Sequence, residues 1–585
     1  MNRKFKAIVR TDVLVVGGAG AGSRAALEAA GRGAGVALVN KMQYGISGAT
    51  AFKGAVIGQY QAVGTNPAEG DSFGRHAADI LLAGAGMADE KLVKILVEEA
   101  PAQISALEKW GVTFEHENGN YQIIKGCFAS APRSYVLKDH GYRIVQALER
   151  AVRADGRIRI FEHTMITNLL IRDGCCVGAL AVNRRNEWIV FEAGAVVAAA
   201  GGASRIFQYS MYPADITGDS YSIGFEAGAV MTNMEFVQLG LVTVHPGTGA
   251  VNTWTWRMNP RLRNSRGRCF LRDYLPQGMT EEEVMALKAN HWPFTSSDAS
   301  CAIEIAVQDQ IMKGLHSPRG GIYVDFTHVG DQEYQSLPDS FKPIWTMMVN
   351  NFRERSIDLR YEPLEAVVGS HSVNGGYLID ETAATNVPGL FACGESSTGM
   401  HGADRLGGNN LPNSQVFGRR AGQYAARFAI GSMRRPVSRE QADELIARWQ
   451  SILAERHDGL SVPDMALRLK KLVSETLCTN RSEEGLNTLL KCIGEWKREL
   501  TGRGVLSQKG YISLCELYHM LQASELIATA ARERKETRGS HHRKDYPHKE
   551  AGELSRIYLQ HAQAGGIRVY RSPVMQQNGT APKVQ

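Results

Sequence analysis

The chain has 585 residues, too many for one hydrophobic core, so about two to four domains are expected. Its 44% apolar and 22% charged residues are ordinary for a globular protein, and 66 basic residues mixed with 60 acidic ones leave a formal charge of +6. That balance argues against a nucleic-acid partner and leaves room for an anionic small molecule. The start, MNRKFKAIVRTDVLVVGG, runs from basic residues straight into a short apolar strand, with no membrane span or cleavage site, so a cytoplasmic location is expected. Nine cysteines, at 127, 175, 176, 269, 301, 393, 478, 492 and 515, form no CxxC and no ferredoxin-like cluster. They read as free thiols of a reducing compartment, the vicinal pair Cys175–Cys176 being a strand-end feature.

Asp12–Val16 reads as a buried strand, Gly17-Gly18-Ala19-Gly20-Ala21-Gly22 as a turn, Ser23–Ala30 as a helix ended by Gly31, and Val36–Val39 as a second strand. Such a βαβ unit aims a helix N-terminus at a pyrophosphate. The fingerprint is imperfect: its three positions are Gly17, Ala19 and Gly22, so the middle glycine is an alanine. Asn40 stands where an acidic residue usually holds a ribose, although an amide can serve a hydroxyl. Three later segments point to FAD. Ser47, Gly48, Ala49 and Thr50 open a small-residue stretch reaching Gly54 that suits a flat ring. Val196–Ala203 is an apolar strand running through Ala200 and Gly201, and Gly389–Glu395 closes on Gly394-Glu395 with a carboxylate placed for a ribose hydroxyl. In this order and so far apart, they describe a cofactor domain interrupted by an insertion.

In HGADRLGGNNLPNSQVFGRRAG, His401 to Gly422, Arg405 is set between glycine-rich turns, just before a helix begins. Glycines let backbone amides approach a ligand, and an arginine fork recognises a carboxylate or phosphate. Glu440–Trp449 and Asp464–Lys470 carry spaced apolar residues and read as helices. The charge run Arg532–Arg538 reads as a solvated helix end, and residues 565–585 as a poorly ordered or partner-docking tail.

Together these segments resemble the flavoprotein subunits of succinate dehydrogenase and fumarate reductase, with L-aspartate oxidase and adenylylsulfate reductase as cousins. The likeness is carried by VVGG, SGAT, TGDSYSIGFEAGA (217–229), MEFVQ (234–238), NSRGRCFLRDYLP (264–276) and GSHSVNGGYLID (369–380). It continues through FACGESS, HGADRLGGNN, LCELYHML (514–521) and ETRGSHHRKDYP (536–547). It implies an α/β fold: a Rossmann-like FAD-binding domain (1–235 and 357–435) interrupted by an α+β capping domain (236–356), then a helical domain (436–550) and a tail (551–585). It further implies that Gly17, Gly18, Gly20 and Gly22 sit near the pyrophosphate, Asn40 and Lys41 near the adenosine end, and Ser47, Gly48 and Thr50 along the cofactor. Asp219 and Glu395 would meet its polar groups, and Asn410 and Leu411 the flavin pyrimidine edge. His371 and Arg405 fall on the substrate-carboxylate ligands. The turn Arg538-Gly-Ser-His541 would pack against the flavin domain.

Three departures from the family pattern carry information. Members that attach FAD covalently use a histidine near residue 48; this chain has Ser47-Gly48, so a non-covalent flavin is expected. Succinate dehydrogenases follow MEFVQ with Phe-His-Pro, whose histidine touches substrate; here Leu239-Gly240-Leu241 follows and His245-Pro246 comes later, making His245 a displaced candidate. Where fumarate reductases carry the proton-delivering arginine, Ser297 stands, and a lone hydroxyl is a poor acid at neutral pH. Arg257, Arg261, Arg263, Arg266 and Arg268 are candidate replacement cations, with a solvated basic segment as the plainer reading.

The expected function is an FAD-dependent dehydrogenase or reductase acting on a small carboxylate of fumarate or succinate type, other than fumarate itself. The alternatives are a flavin oxidase of an amino-acid-like carboxylate and a catalytically impaired FAD-binding subunit of a redox complex. The expected partners are the carboxylate and a separate iron–sulfur or other electron-transfer subunit, with homo-oligomerisation left open.

Overall fold

The computed structural model describes residues 5–51, 58–64, 69–337, 339, 341–452, 461–503, 510–562 and 565–574. Residues 52–54 of the small-residue stretch and 563–564 and 575–585 of the expected tail lie outside that range. β1 (Ala7–Val16) ends in a continuous apolar run in which Val13, Leu14 and Val15 are fully buried. Such a run is what a strand covered on both faces requires. α1 (Gly20–Gly31) follows, its buried residues all small except Arg24, and then β2 (Val36–Val39), parallel to β1 with Val13 opposite Val36.

β3 (Ile158–Phe161) extends the sheet beside β2. β4 (Thr164–Arg172), β5 (Cys175–Asn183) and β6 (Trp188–Ala198) form an antiparallel meander, and β6 returns parallel to β1. The order is β3-β2-β1-β6-β5-β4, with Leu390–Ala392 also parallel to the end of β6. The turns after β1, β2, β6 and Leu390–Ala392 therefore open at one edge of the sheet, at the carboxyl ends of its parallel strands. Crevices of this kind are where α/β sheets bind ligands. Cys175 and Cys176 begin β5, both buried and both free.

A second sheet caps that edge. β7 (Val237–His245) pairs antiparallel with β8 (Leu364–Val373), and Gly249–Ala250, Ile322–Asp325 and Arg261–Arg263 complete five strands. β9 (Leu390–Ala392) then re-enters the first sheet, and the loop behind it leads to α2 (Asn410–Gly431), which packs on α1. The helices α3 (Arg439–Ile452), α4 (Val462–Thr476), α5 (Glu483–Arg503) and α6 (Tyr511–Glu533) follow. Among the described residues no helix is long and apolar enough to cross a membrane.

Two sequence expectations are corrected here. The charge run at the end of α6 is only partly solvated: Lys535 is exposed, whereas Arg534, Glu536 and Arg538 are buried. Arg534 Nε lies 2.7 Å from Glu235 Oε1, its Nη1 lies 2.9 Å from Glu536, and Arg538 Nε lies 2.6 Å from Glu536. Burial is tolerated because each charge meets an opposite one, which a local charge pattern does not reveal. The described part of the expected tail is likewise ordered: β10 (Ser555–His561) and β11 (Ile567–Pro573) form a hairpin. β10 pairs with Met231–Thr232, and buried Ile557 and Leu559 alternate along it. The turn Arg538–His541 packs on the loop before Arg405, where a methyl group on Gly539 would lie 2.8 Å from the Ala403 side chain.

Candidate active site

The strand-end turns line a cleft. Gly17, Gly18 and Ala19 form one wall with Asn40 and Lys41; Gly48, Ala49 and Thr50 form a second. Ala200, Gly201, Asp219, Gly394 and Glu395 line a third, and Asn410 and Leu411 close one side. Fifteen residues singled out in the sequence thus meet around one space. Gly20, Gly22 and Ser47 stand behind the lining. Gly17 adopts φ +103°, and a methyl group on Gly22 would lie 1.8 Å from the Gly17 carbonyl oxygen, so the turn is built for residues without side chains.

The N-terminal amides of both α1 and α2 open on this cavity, and neither helix has a side-chain cap. Uncapped N-termini favour anionic or electron-rich groups. A glycine cradle under one helix start and a second bare start across the space fit a dinucleotide with a ring at its far end. Asn40 uses its amide internally: Oδ1 accepts from the Gly18 amide at 3.0 Å, and Nδ2 donates to Ser47 Oγ at 2.9 Å. Lys41 lies 2.7 Å from both Asp219 and Glu516. Burial opposes the Lys41 charge, yet these carboxylates outweigh it and raise its pKa, while Asp219 is held below the usual carboxylate range.

Arg405 is 6% exposed. Its Nε donates to Gln238 Oε1 at 3.0 Å and its Nη1 to the Leu406 carbonyl at 2.9 Å. Among the described residues no carboxylate pairs with it and Nη2 has no hydrogen-bond partner. His371 is half-buried in β8, with its Nδ1 enclosed and neither ring nitrogen bonded. Burial first, then the Arg405 charge, depress its pKa to about 3, so it is neutral at physiological pH. His401, also near Arg405, is depressed to about 3 for the same reasons. Two carboxyls shift the other way: burial lifts Glu395 to about 7 against the Val373 amide and Arg405, and lifts Asp404 to about 7 against its hydrogen bond from Thr295.

His245 is not brought to this cluster. It is opposite Glu365 on β8, six residues before His371, which at about 3.3 Å per residue is roughly 20 Å away along the strand. The cause is register, since β7 runs on past the site, with irregularities between Val237 and Leu239 and between Thr243 and His245, and carries its terminal histidine to the far end. Ser297 is exposed, and its hydrogen bond runs from the backbone amide to Thr295 Oγ1 at 3.1 Å. Of the replacement arginines, 257, 261, 266 and 268 are exposed, and Arg263 pairs with Asp325 at 2.8 Å.

The structure adds residues that sequence reasoning missed. The Tyr212 ring lies 4.9 Å from the His371 ring, and the Trp292 ring 5.4 Å from it on an edge-to-face approach. Trp292 Nε1 donates to the Leu241 carbonyl at 3.0 Å. A methyl group on Gly240 would lie 2.7 Å from Trp292 Cζ2, so the indole fills the space a side chain at 240 would take. The signal available in the sequence was a glycine at a histidine position; what replaced it came from 52 residues downstream.

A family model described as an FAD binding domain matches residues 12–411, and one described as the fumarate reductase flavoprotein C-terminus matches residues 466–584. A relative from Methanothermobacter marburgensis, named as a subunit of fumarate reductase (CoM/CoB), is 32% identical over 549 residues, covering 92% of this chain and 94% of the relative. The L-aspartate oxidase of Bacillus subtilis is 26% identical over 522 residues, covering 88% and 89%. Among solved structures, Sdh1 of Mycobacterium smegmatis superposes with a TM-score of 0.84 at 28% identity, covering 99% of this chain and 96% of that one. FrdA of Escherichia coli quinol fumarate reductase gives 0.80 at 25% identity, covering 99% of each. Cofactor cavity, capping sheet and end-to-end match agree: the chain belongs to the succinate dehydrogenase/fumarate reductase flavoprotein family and is an FAD-dependent oxidoreductase.

Proposed function

We propose that the chain exchanges two electrons with a small carboxylate substrate at a carbon–carbon bond beside the acid group, and that Arg405 and His371 seat that acid group. The observation that carries this reading is Arg405: a guanidinium enclosed without a carboxylate partner, its Nη2 unbonded, beside a histidine with both nitrogens unbonded. Leaving such a group unmatched is costly unless a ligand completes it. A substrate carboxylate on Nη2, with one further hydrogen bond to neutral His371, supplies that match in a site of low dielectric.

The glycine turn and α1 start would hold the FAD pyrophosphate, and Asn410 and Leu411 would meet its ring edge. Bound FAD supplies the two-electron chemistry. Gln238 and the Leu406 carbonyl fix the plane of the Arg405 fork, so the carboxylate is oriented before the reaction begins. Saturating one double bond consumes two electrons and two protons; desaturation releases them. Exposed Ser297 is no substitute for an arginine donor, which is why fumarate is a poor candidate. Because several relatives are named as subunits, we place the external electron donor or acceptor on a separate electron-transfer protein.

The test is anaerobic reduction of the holoenzyme followed by a screen of unsaturated mono- and dicarboxylates. At least one should reoxidise the flavin in the parent and not in Arg405→Ala. Reoxidation that proceeds equally in both proteins overturns the carboxylate seat, and rapid peroxide release with oxygen alone would favour the oxidase instead.

A further inference from the structure

Tyr212 is 8% exposed and belongs to two places at once: it lines the cleft, and its ring lies 4.9 Å from the His371 ring. The backbone fixes that overlap. Ser210 bridges to Ser370 of β8, and the Met211 amide donates to the Ser370 carbonyl at 2.9 Å, one residue before His371. The Tyr212 amide donates to Ser210 Oγ at 3.1 Å, which turns its side chain out of the loop. The phenol oxygen lies 3.5 Å from Asn410 Nδ2 and faces Ser372 and Glu395. Ser372 Oγ lies 3.4 Å from Arg405 Nε, so a single hydroxyl separates the phenol from the guanidinium.

Saturating a double bond beside an acid group needs one proton in addition to the hydride that bound FAD supplies. The position of the family's arginine donor holds exposed Ser297. His371 and His401 are neutral at physiological pH and carry no cationic proton to give. Asp404 Oδ2 is engaged by Thr295 at 2.6 Å, and Arg405 is committed to the acid group. Among the described residues that line the cleft, Tyr212 is the one in ring contact with His371. Burial first and then the Glu395 charge lift its phenol well above the ordinary value, so it enters the reaction protonated. Arg405 pulls the other way, which steadies the anion left when the proton departs.

We propose that Tyr212 is the proton donor of the reduction: its O–H bond breaks as a C–H bond forms at the carbon next to the acid, the other alkene carbon takes the hydride, and the phenolate regains a proton from water in the cleft once product leaves. This rests on the carboxylate seat at Arg405 and adds the source of the proton. The test mixes dithionite-reduced holoenzyme anaerobically with fumarate, mesaconate, itaconate and crotonate and follows flavin reoxidation by absorbance. Titration of the oxidised holoenzyme with the same acids gives Kd from the flavin difference spectrum. Tyr212→Phe keeps the ring beside His371 and loses only the oxygen. With the acid that reoxidises the parent fastest, this variant should react about 100-fold more slowly or worse. Its Kd should stay within about three-fold of the parent, with flavin content unchanged. In D2O the parent should place deuterium on one face of the carbon beside the acid, and the residual product of Tyr212→Phe should carry it on both. A purely structural role for the ring would not produce that scrambling. Reoxidation of Tyr212→Phe at the parent rate, with Arg405→Ala inactive, overturns the donor and leaves the seat intact. Reoxidation of Arg405→Ala at the parent rate overturns the seat and this inference with it, and so does failure of all four acids to reoxidise the parent.

Discussion

Arg405 Nε lies 3.0 Å from Gln238 Oε1, so a loop leading into α2 and a strand of the capping sheet hold one guanidinium between them. The fork is therefore positioned by both halves of the fold, and loosening either half should affect substrate before cofactor. Gln238→Leu should raise KM for the carboxylate about ten-fold with flavin content unchanged, and Arg405→Ala should lower kcat/KM by about a hundred-fold or more. Steady-state kinetics with parallel flavin quantification checks both.

Glu395 gives the site a pH dependence. Below about 7 its buried carboxyl is neutral and leaves the Arg405 charge to the ligand; above that it ionises and competes. Affinity for a carboxylate that stays ionised throughout should hold steady from pH 5.5 to 6.5 and fall about three- to ten-fold by pH 8.5. Glu395→Gln, if it retains FAD, should flatten the profile, and a parent profile already flat across this range would refute the coupling.

Gly22 has no room for a side chain. A methyl group there meets the Gly17 carbonyl oxygen, so Gly22→Ala must deform the turn proposed to hold the pyrophosphate. The expected outcome is purified protein with less than about a tenth of the parent flavin, melting several degrees lower. Gly31→Ala, where a methyl group meets nothing, is the control.

Among the described residues the cavity lining contains no histidine or cysteine. Acid or detergent denaturation followed by filtration should leave the yellow colour in the filtrate. Flavin fluorescence migrating with the polypeptide on a denaturing gel would contradict this.

Arg534 is fully enclosed, bonded to Glu235 and Glu536 and to the carbonyls of Glu553 and Ser555. Truncation strands the buried carboxylate of Glu235, while Glu536 keeps Arg538. Arg534→Ala should cost about 3–5 kcal/mol, read as a lower denaturation midpoint, with Arg534→Lys intermediate because an ammonium cannot span four partners.

Much of the cofactor domain was legible because its signals are local. An apolar run, a glycine turn and a small-residue helix each declare themselves within ten or twenty residues, as Val13–Val39 does. The capping sheet was harder: β7 and β8 pair across more than a hundred residues, and nothing in either strand reports the register that takes His245 away from His371. Arg534 and Glu536 look like surface charges until their partners are known, and Ile557 and Leu559 look like a loose tail until a sheet edge receives them.

The sequence by itself determined the glycine turn after β1 and the presence of Arg405, because glycine conformation and a permanent charge are properties of single residues. Only the tertiary structure decided that Trp292 stands over Gly240, that His245 is out of reach and that Arg405 finds no counter-ion among the described residues. Those are facts about distances between segments far apart in the chain, set by strand register and packing rather than by any residue's own chemistry.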